Sequence, residues 1–254
     1  MPTGFIQHPA CRQHDMGPGH PEAPRRLSLI EDALAANGVM DLLRLYEAPL
    51  ATREQLERVH RSAYLDSLAA RSPAEGLVHL DPDTAMNAHT LEAAHRAAGA
   101  AVMATDRVLD GSVQNAFCCV RPPGHHAMPG EAMGFCFFNN VAVGAAHALA
   151  VHGLERVAVL DFDVHHGNGT EAIFERDSRV MVCSTYQHPL YPFSGAPSIP
   201  GRIINVELPA ETRGQDYRLA IDTFWRPALE RFRPQMIFVS AGFDAHVEDP
   251  YADL

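Results

Sequence analysis

After the apolar run V-A-V-L at 157–160, acids and an imidazole fall at alternate positions: Asp161, Asp163 and His165, with Phe162, Val164 and His166 between them. Side chains alternate faces along an extended strand, so the first three share one face. Carboxylates at the end of a buried strand need a cation beside them, because an unpaired buried charge is expensive. A lone Asp or His in such a place reads as a satisfied loop group; three on one face point to a divalent metal. A second apolar run, 236–240, ends in A-G-F-D-A-H and supplies Asp244. Asp163, His165 and Asp244 form a sensible three-ligand set that leaves room for water or substrate. A third run, 113–120, empties into R-P-P-G-H-H, which sets His125 beside His126 in a segment stiffened by Pro122, Pro123 and Gly124. An imidazole near a metal-bound water is suited to take its proton at neutral pH. Asp161 and Asn168 are candidates to stand behind the two histidines and separate their pKa values.

The elements that must position these groups alternate along the chain. Strands are expected at 3–8, 113–120, 157–160, 180–184, 203–208 and 236–240. Helices are expected at 25–37, after Thr52 (a capping box with Gln55), after Ser62 as a cap, at 90–110, 140–152 and from about 170. A further helix is expected at 217–232, kinked or broken at Pro227. Residues 72–89 read as loop, and His95 on the long helix reads as structural or exposed. Strand–helix alternation of this kind predicts one α/β domain, a mostly parallel sheet with helices on both faces. The ligand site of such a sheet lies beyond the carboxyl ends of its strands. Segment 8–24, rich in Gly and Pro, is either a site-lining loop or a plain surface loop. Gly134–Asn139, G-F-C-F-F-N, reads as the wall of a narrow channel because it follows the histidine pair so closely.

Composition bounds the class. The chain has 254 residues, of which 46% are hydrophobic, enough for a sizeable core. A formal net charge of -11 argues against direct binding to nucleic acid. No apolar run is long enough to span a bilayer, and the N-terminus lacks the pattern of a secretion signal. The five cysteines show no C-x-x-C spacing, and Cys118, Cys119 and Cys183, in apolar strand-like runs, read as buried free thiols in a reducing, cytoplasmic setting.

With these motifs in hand, the chain resembles the zinc-dependent histone deacetylase superfamily, which includes acetylpolyamine amidohydrolases and bacterial deacetylase-like amidohydrolases. The match is carried by G-H-P-E-A-P-R-R at 19–26, R-P-P-G-H-H-A at 121–127, G-F-C-F-F-N-N at 134–140, D-F-D-V-H-H-G-N-G-T at 161–170, L-Y-P at 190–192 and S-A-G-F-D-A-H at 240–246. R-P-P-G-H-H-A and Asn168 are closer to the class II branch. The resemblance implies the arginase–deacetylase α/β fold and one Zn2+ per chain on Asp163, His165 and Asp244. It implies His126 as general base and acid with Asn168 behind it, and His125 paired with Asp161. It also implies a structural K+ held by the side chains of Asp161 and Ser184 and the main chains of Asp163, His165 and Thr185. Gly134, Phe135 and Tyr191 would wall an acyl-lysine tunnel. The implied reaction is hydrolysis of an acetylated lysine or small amine to acetate and the free amine, by metal-activated water.

Two departures from the family pattern follow. Family members carry, beyond the last zinc ligand, a tyrosine that donates to the oxyanion, and no tyrosine of this chain matches it. The expectation is a histone-deacetylase-like domain over 1–254 that lacks the C-terminal portion. The residue after D-P at 249–250, which influences substrate choice in the family, is Tyr251; its lack of negative charge disfavours polyamines. The competing readings are a catalytically impaired metal- or acyl-binding module and an arginase-type manganese hydrolase. Homo-oligomerisation is left open.

Overall fold

The computed structural model describes residues 2–195, 197–249 and 252–254. Tyr251, one of the expected tunnel residues, lies outside them. The chain divides into two compact units, Met1–His147 and Ala148–Leu254. Strands and helices in order are β1 (Thr3–Gln7), α1 (Arg25–Ala36), β2 (Leu43–Glu47), α2 (Arg53–Glu57), α3 (Ser62–Arg71), β3 (Val78–His79), β4 (Ala85–Met86), α4 (Thr90–Leu109), β5 (Asn115–Cys118), α5 (Asn140–Ala150), β6 (Val157–Asp161), α6 (Asn168–Phe174), β7 (Val180–Gln187), β8 (Ile203–Leu208), α7 (Gly214–Ala220), α8 (Arg226–Phe232) and β9 (Met236–Ser240). The expected α/β class with parallel strands holds.

In the first unit β2, β1 and β5 form a three-stranded parallel sheet in that order. Phe5, Cys11, Leu27 and Cys119 pack together, and Ile6 meets Ala48 and Ala100. The helix α4 buries mainly alanines, a surface that lets backbones approach closely: a Cβ on Gly99 would stand 2.0 Å from the Pro49 carbonyl oxygen. The imidazole of His95 is structural, bonded to the Ala51 carbonyl at 2.9 Å. The Thr52–Gln55 capping box forms at α2.

Three expectations need correction. Ser62 is the first residue of α3 rather than its cap, and Arg61 in the cap position makes no side-chain bond. Within 72–89 a two-stranded antiparallel hairpin, β3–β4, replaces plain loop. The strand β2 went unpredicted; it lies at a sheet edge with three of its five residues exposed, so it has no apolar alternation to read.

In the second unit the order is β8-β7-β6-β9, all parallel. Every residue of β7 is buried, as expected of an inner strand covered on both faces. The register sets Asp161 opposite Ser184 on one side and Ser240 on the other, so β6 and β9 reach the same level. The helical run around Pro227 does not stop: α7 passes through a π-helical stretch, Ile221–Trp225, directly into α8, and Pro227 lies at the start of α8, so the proline coincides with a local change of helix type. Trp225 packs with Ala158, Met181, Cys183 and Val206.

Segment 8–24 is tied down by one buried guanidinium. All five N–H groups of Arg121 are used: Nη1 donates to the carbonyls of Cys11 (3.0 Å) and His14 (2.8 Å), Nη2 to the Glu22 carbonyl (3.1 Å), and Nε and Nη2 to the Glu22 carboxylate. A buried charge pair satisfied this fully fixes geometry more than it adds stability. Two buried imidazoles reinforce the same region. His14 meets Thr90 Oγ1 at 2.8 Å. His60 Nδ1–H donates to the Met128 carbonyl (3.0 Å), and its Nε2 accepts from the Asn139 N–H (2.9 Å).

Burial lowers His14 to about 3, with the Arg121 charge adding to it, and burial lowers His60 to about 4. Both folded values lie below the ordinary one, so the unfolded chain takes up protons first as pH falls through 6.5. Stability is therefore complete above that pH and declines toward the folded values. The expected loss by pH 5 is about 2 kcal/mol for each imidazole, from about 1.4 kcal/mol per pH unit. Urea denaturation at pH 7.5 and pH 5 checks this; equal free energies would contradict it.

Candidate metal centre

The second unit brings Asp163, His165 and Asp244 together. Each offers one ligand atom, and these atoms lie within 4.8 Å of one another. Regular pairing in β6 ends at Asp161, but the side-chain alternation continues past it. Asp163 and His165 face the cluster, whereas Val164 and His166 are buried away from it. Asp161, fully buried, accepts from the Asp163 N–H at 3.1 Å. Asp163 Oδ1 accepts from the His165 backbone N–H at 2.8 Å. Asp244 Oδ1 accepts from the Val164 N–H at 3.0 Å, which ties the segment after β9 to the one after β6. Gly242 makes this approach feasible: a Cβ there would stand 2.1 Å from Asp163 Oδ2.

The electrostatics of the cluster are those of two carboxylates facing one imidazole. His165 Nδ1 stands 2.9 Å from Asp163 and 3.0 Å from Asp244. Burial alone would lower the pKa of His165, but hydrogen bonds to Asp163 and Asp244 outweigh it and raise the value to about 10. Burial raises Asp244, with the charge of Asp163 adding to it against the opposing bond from His165. The donor set of two carboxylates and one imidazole suits a divalent ion. Asn168 is the first residue of α6, and its N–H donates to the His166 carbonyl at 2.9 Å. Ser184 and Thr185 are buried on β7, with Ser184 in register with Asp161. The ring of Tyr191 meets His165 edge to face, centroids 6.1 Å apart.

The first unit holds the histidine pair. The rings of His125 and His126 lie 3.9 Å apart, both buried. Gly134 has φ of +56°, and a Cβ there would stand 2.3 Å from the His126 ring, so only glycine lets the two segments touch. Phe135 adopts a left-handed φ of 68°, and its N–H donates to Thr84 Oγ1 at 3.0 Å. The Asn140 side chain donates to the Pro122 carbonyl at 3.0 Å, and the Tyr64 hydroxyl donates to the Phe137 carbonyl at 2.6 Å. A cleft of about 360 Å³ near Arg12 and Glu31 is lined by none of the predicted residues.

Sequence reasoning missed the supports: His60, Tyr64, Thr84 and Gly242. Only Gly242 had a signal, its place inside the motif around Asp244. It also missed Tyr217, whose hydroxyl is buried with no hydrogen-bond partner among the described residues. Burial, with the charges of Asp161, Asp163 and Asp244, pushes that phenol up to about 12.

A model of the histone deacetylase domain matches residues 20–254. The histone deacetylase-like amidohydrolase of Pseudomonas aeruginosa is 44% identical over 99% of this chain, which spans 66% of that protein's length. A probable deacetylase of Archaeoglobus fulgidus is 38% identical over 100% of this chain and 72% of its own. The crystal structure of the HDA15 HD domain superposes with a TM-score of 0.91 at 34% identity, covering 100% of this chain and 76% of that one.

The free site predicts its own linkage. A ligating imidazole must be neutral, so zinc binding near pH 8 should release about one proton per ion from His165. Titration calorimetry in two buffers of different ionisation enthalpy reads that number; a value near zero would mean that His165 is already neutral or does not bind the ion.

Proposed function

The chain belongs to the histone deacetylase family, and on that premise we propose that it is a zinc-dependent amidohydrolase that removes acetyl or another short acyl group from lysine side chains or related amines. The observation that carries the reading is the convergence of two carboxylates and one imidazole, Asp163, Asp244 and His165, with ligand atoms within 4.8 Å of one another. These three residues would hold the ion. Zinc there supplies Lewis acidity toward the acyl oxygen and lowers the pKa of a water.

The chain's own residues do the remaining work. His126 takes the proton of the attacking water and returns one to the departing amine, which allows a neutral amine to leave. Its ring has little freedom, because Gly134 lies against it and the segment around it is stitched by Arg121, His60 and Asn140. Asn168 orients the general base without adding charge, and His125 with Asp161 balances charge as it develops. By the family resemblance, Gly134, Phe135 and Tyr191 would line the path of the acyl chain. Asp161 and Ser184, with the main chains of Asp163, His165 and Thr185, would hold a structural K+. Tyr251 brings no charge to attract a second ammonium, which favours acetyl-lysine over acetylpolyamine.

No helix among the described residues is long and apolar enough to cross a membrane. The free cysteines, of which Cys119 and Cys183 are pushed by burial up to about 12, support a reducing, cytoplasmic setting.

The zinc-loaded protein is expected to release acetate from an acetyl-lysine peptide faster than from N-acetylputrescine. His126→Ala should lower kcat by about 10²–10⁴-fold, the usual worth of a general base, while hydroxamate affinity stays within about tenfold. Turnover that survives His126→Ala or exhaustive chelation would overturn the proposal.

A further inference from the structure

The residue next to the proposed ligand His165 is engaged in a different structure. His166 is 3% exposed and both its ring nitrogens are used: Nε2 meets Glu171 Oε2 at 2.8 Å and Nδ1 meets Ser194 Oγ at 3.0 Å. The same oxygen of Glu171 accepts from Asn205 Nδ2 at 2.7 Å. Burial alone would raise the pKa of Glu171, but the bonds from His166 and Asn205 lower it, so the carboxylate is ionised and accepts a hydrogen bond from His166 Nε2–H. His166 keeps its proton on Nε2 and donates it in a hydrogen bond to Glu171, so the Ser194 hydroxyl donates to Nδ1. One polar line runs from Asn205 on β8, through Glu171 on α6 and His166, to Ser194 in the segment after β7. Packing alone would fill this space with apolar side chains at no loss of stability; a chain of directional bonds holds its ends at fixed positions.

The held end is informative. Ser194 lies three residues beyond Tyr191, across a turn closed by the Phe193 N–H on the Leu190 carbonyl at 2.8 Å. Tyr191 rests its ring against His165 while Ser194 is bonded to His166. Consecutive histidines, facing opposite ways, therefore grip the two ends of a single turn. Phe193 between them is 76% exposed, so apolar burial does little to hold the turn.

We propose that His166, Glu171, Asn205 and Ser194 form a positioning relay that fixes Tyr191 relative to the metal ligands, and that Ser194 thereby tunes how tightly the acyl substrate is held. The relay rests on the amidohydrolase reading for its effect on substrate, but not for its effect on the turn. Ser194→Ala removes the final bond from a partly exposed segment. In the zinc-loaded protein it is expected to raise KM for an acetyl-lysine peptide by about tenfold with kcat within threefold and zinc affinity unchanged. Ser194→Thr, which keeps the hydroxyl, should restore KM to within threefold. In the same proteins without metal, hydrogen–deuterium exchange of peptides covering 188–195 should be at least tenfold faster in Ser194→Ala and in Glu171→Gln, with β6 and β7 unaffected.

Unaltered exchange in both variants, or an unaltered KM beside normal turnover, would overturn the relay. A parent protein with no turnover but with the exchange difference intact would overturn the amidohydrolase reading and leave the relay standing.

Discussion

The mutual repulsion of Asp163 and Asp244 is the constraint on which the rest of the second unit depends. Two unit charges about 4 Å apart interact by roughly 4 kcal/mol at the effective dielectric of a protein rim, so a fold that presses them together must supply a counter-charge. The pull on His165 shows the demand: burial would lower its pKa, yet its bonds to Asp163 and Asp244 raise it to about 10. The parallel sheet makes the arrangement possible. Because β6 and β9 are in register, Asp161 opposite Ser240, the segments beyond them leave at the same level and meet. Val164 N–H on Asp244 and Gly242 against Asp163 are the contacts that complete the meeting. A proton is a poor occupant of such a place, since it neutralises one charge of two. A divalent ion neutralises both and frees the imidazole to act as a neutral donor.

The first unit solves a related problem by different means. The histidines proposed to carry chemistry, His125 and His126, lie in a long segment with no regular structure, which would otherwise be mobile. Rigidity comes from buried polar groups that bond backbone. Arg121 spends all five donors on segment 8–24, His60 bridges Met128 and Asn139, and Asn140 returns to Pro122. Each of these groups would be a liability if unpartnered, so together they allow one conformation of the segment and penalise others.

Legibility in the sequence followed the range of the interaction that fixes each feature. The strands β6, β8 and β9 were readable because a run of apolar residues between turn signals is a local pattern. So was the face shared by Asp163 and His165, which needs only the two-residue period of an extended chain. The edge strand β2 was not readable, since hydrogen bonding to β1 rather than burial holds it. The supports were the least visible. Nothing near His60 or Thr84 announces that a carbonyl or an amide from a segment 68 or 51 residues away will arrive to be satisfied. Tyr191 and Ser194 likewise acquire their partners only when β7 pairs with β6 and carries the following turn to the two histidines.

The central claim is that one divalent ion is bound by two carboxylates and a single imidazole. X-ray absorption at the zinc edge, on protein loaded to one equivalent, tests it most directly. The account predicts a shell of oxygen and nitrogen at about 2.0–2.2 Å with the outer-ring signature of one histidine, and no sulfur at about 2.3 Å. Loss of that shell is expected in Asp244→Asn. A sulfur-containing shell, a shell with two or more imidazoles, or one unchanged by Asp244→Asn would contradict it.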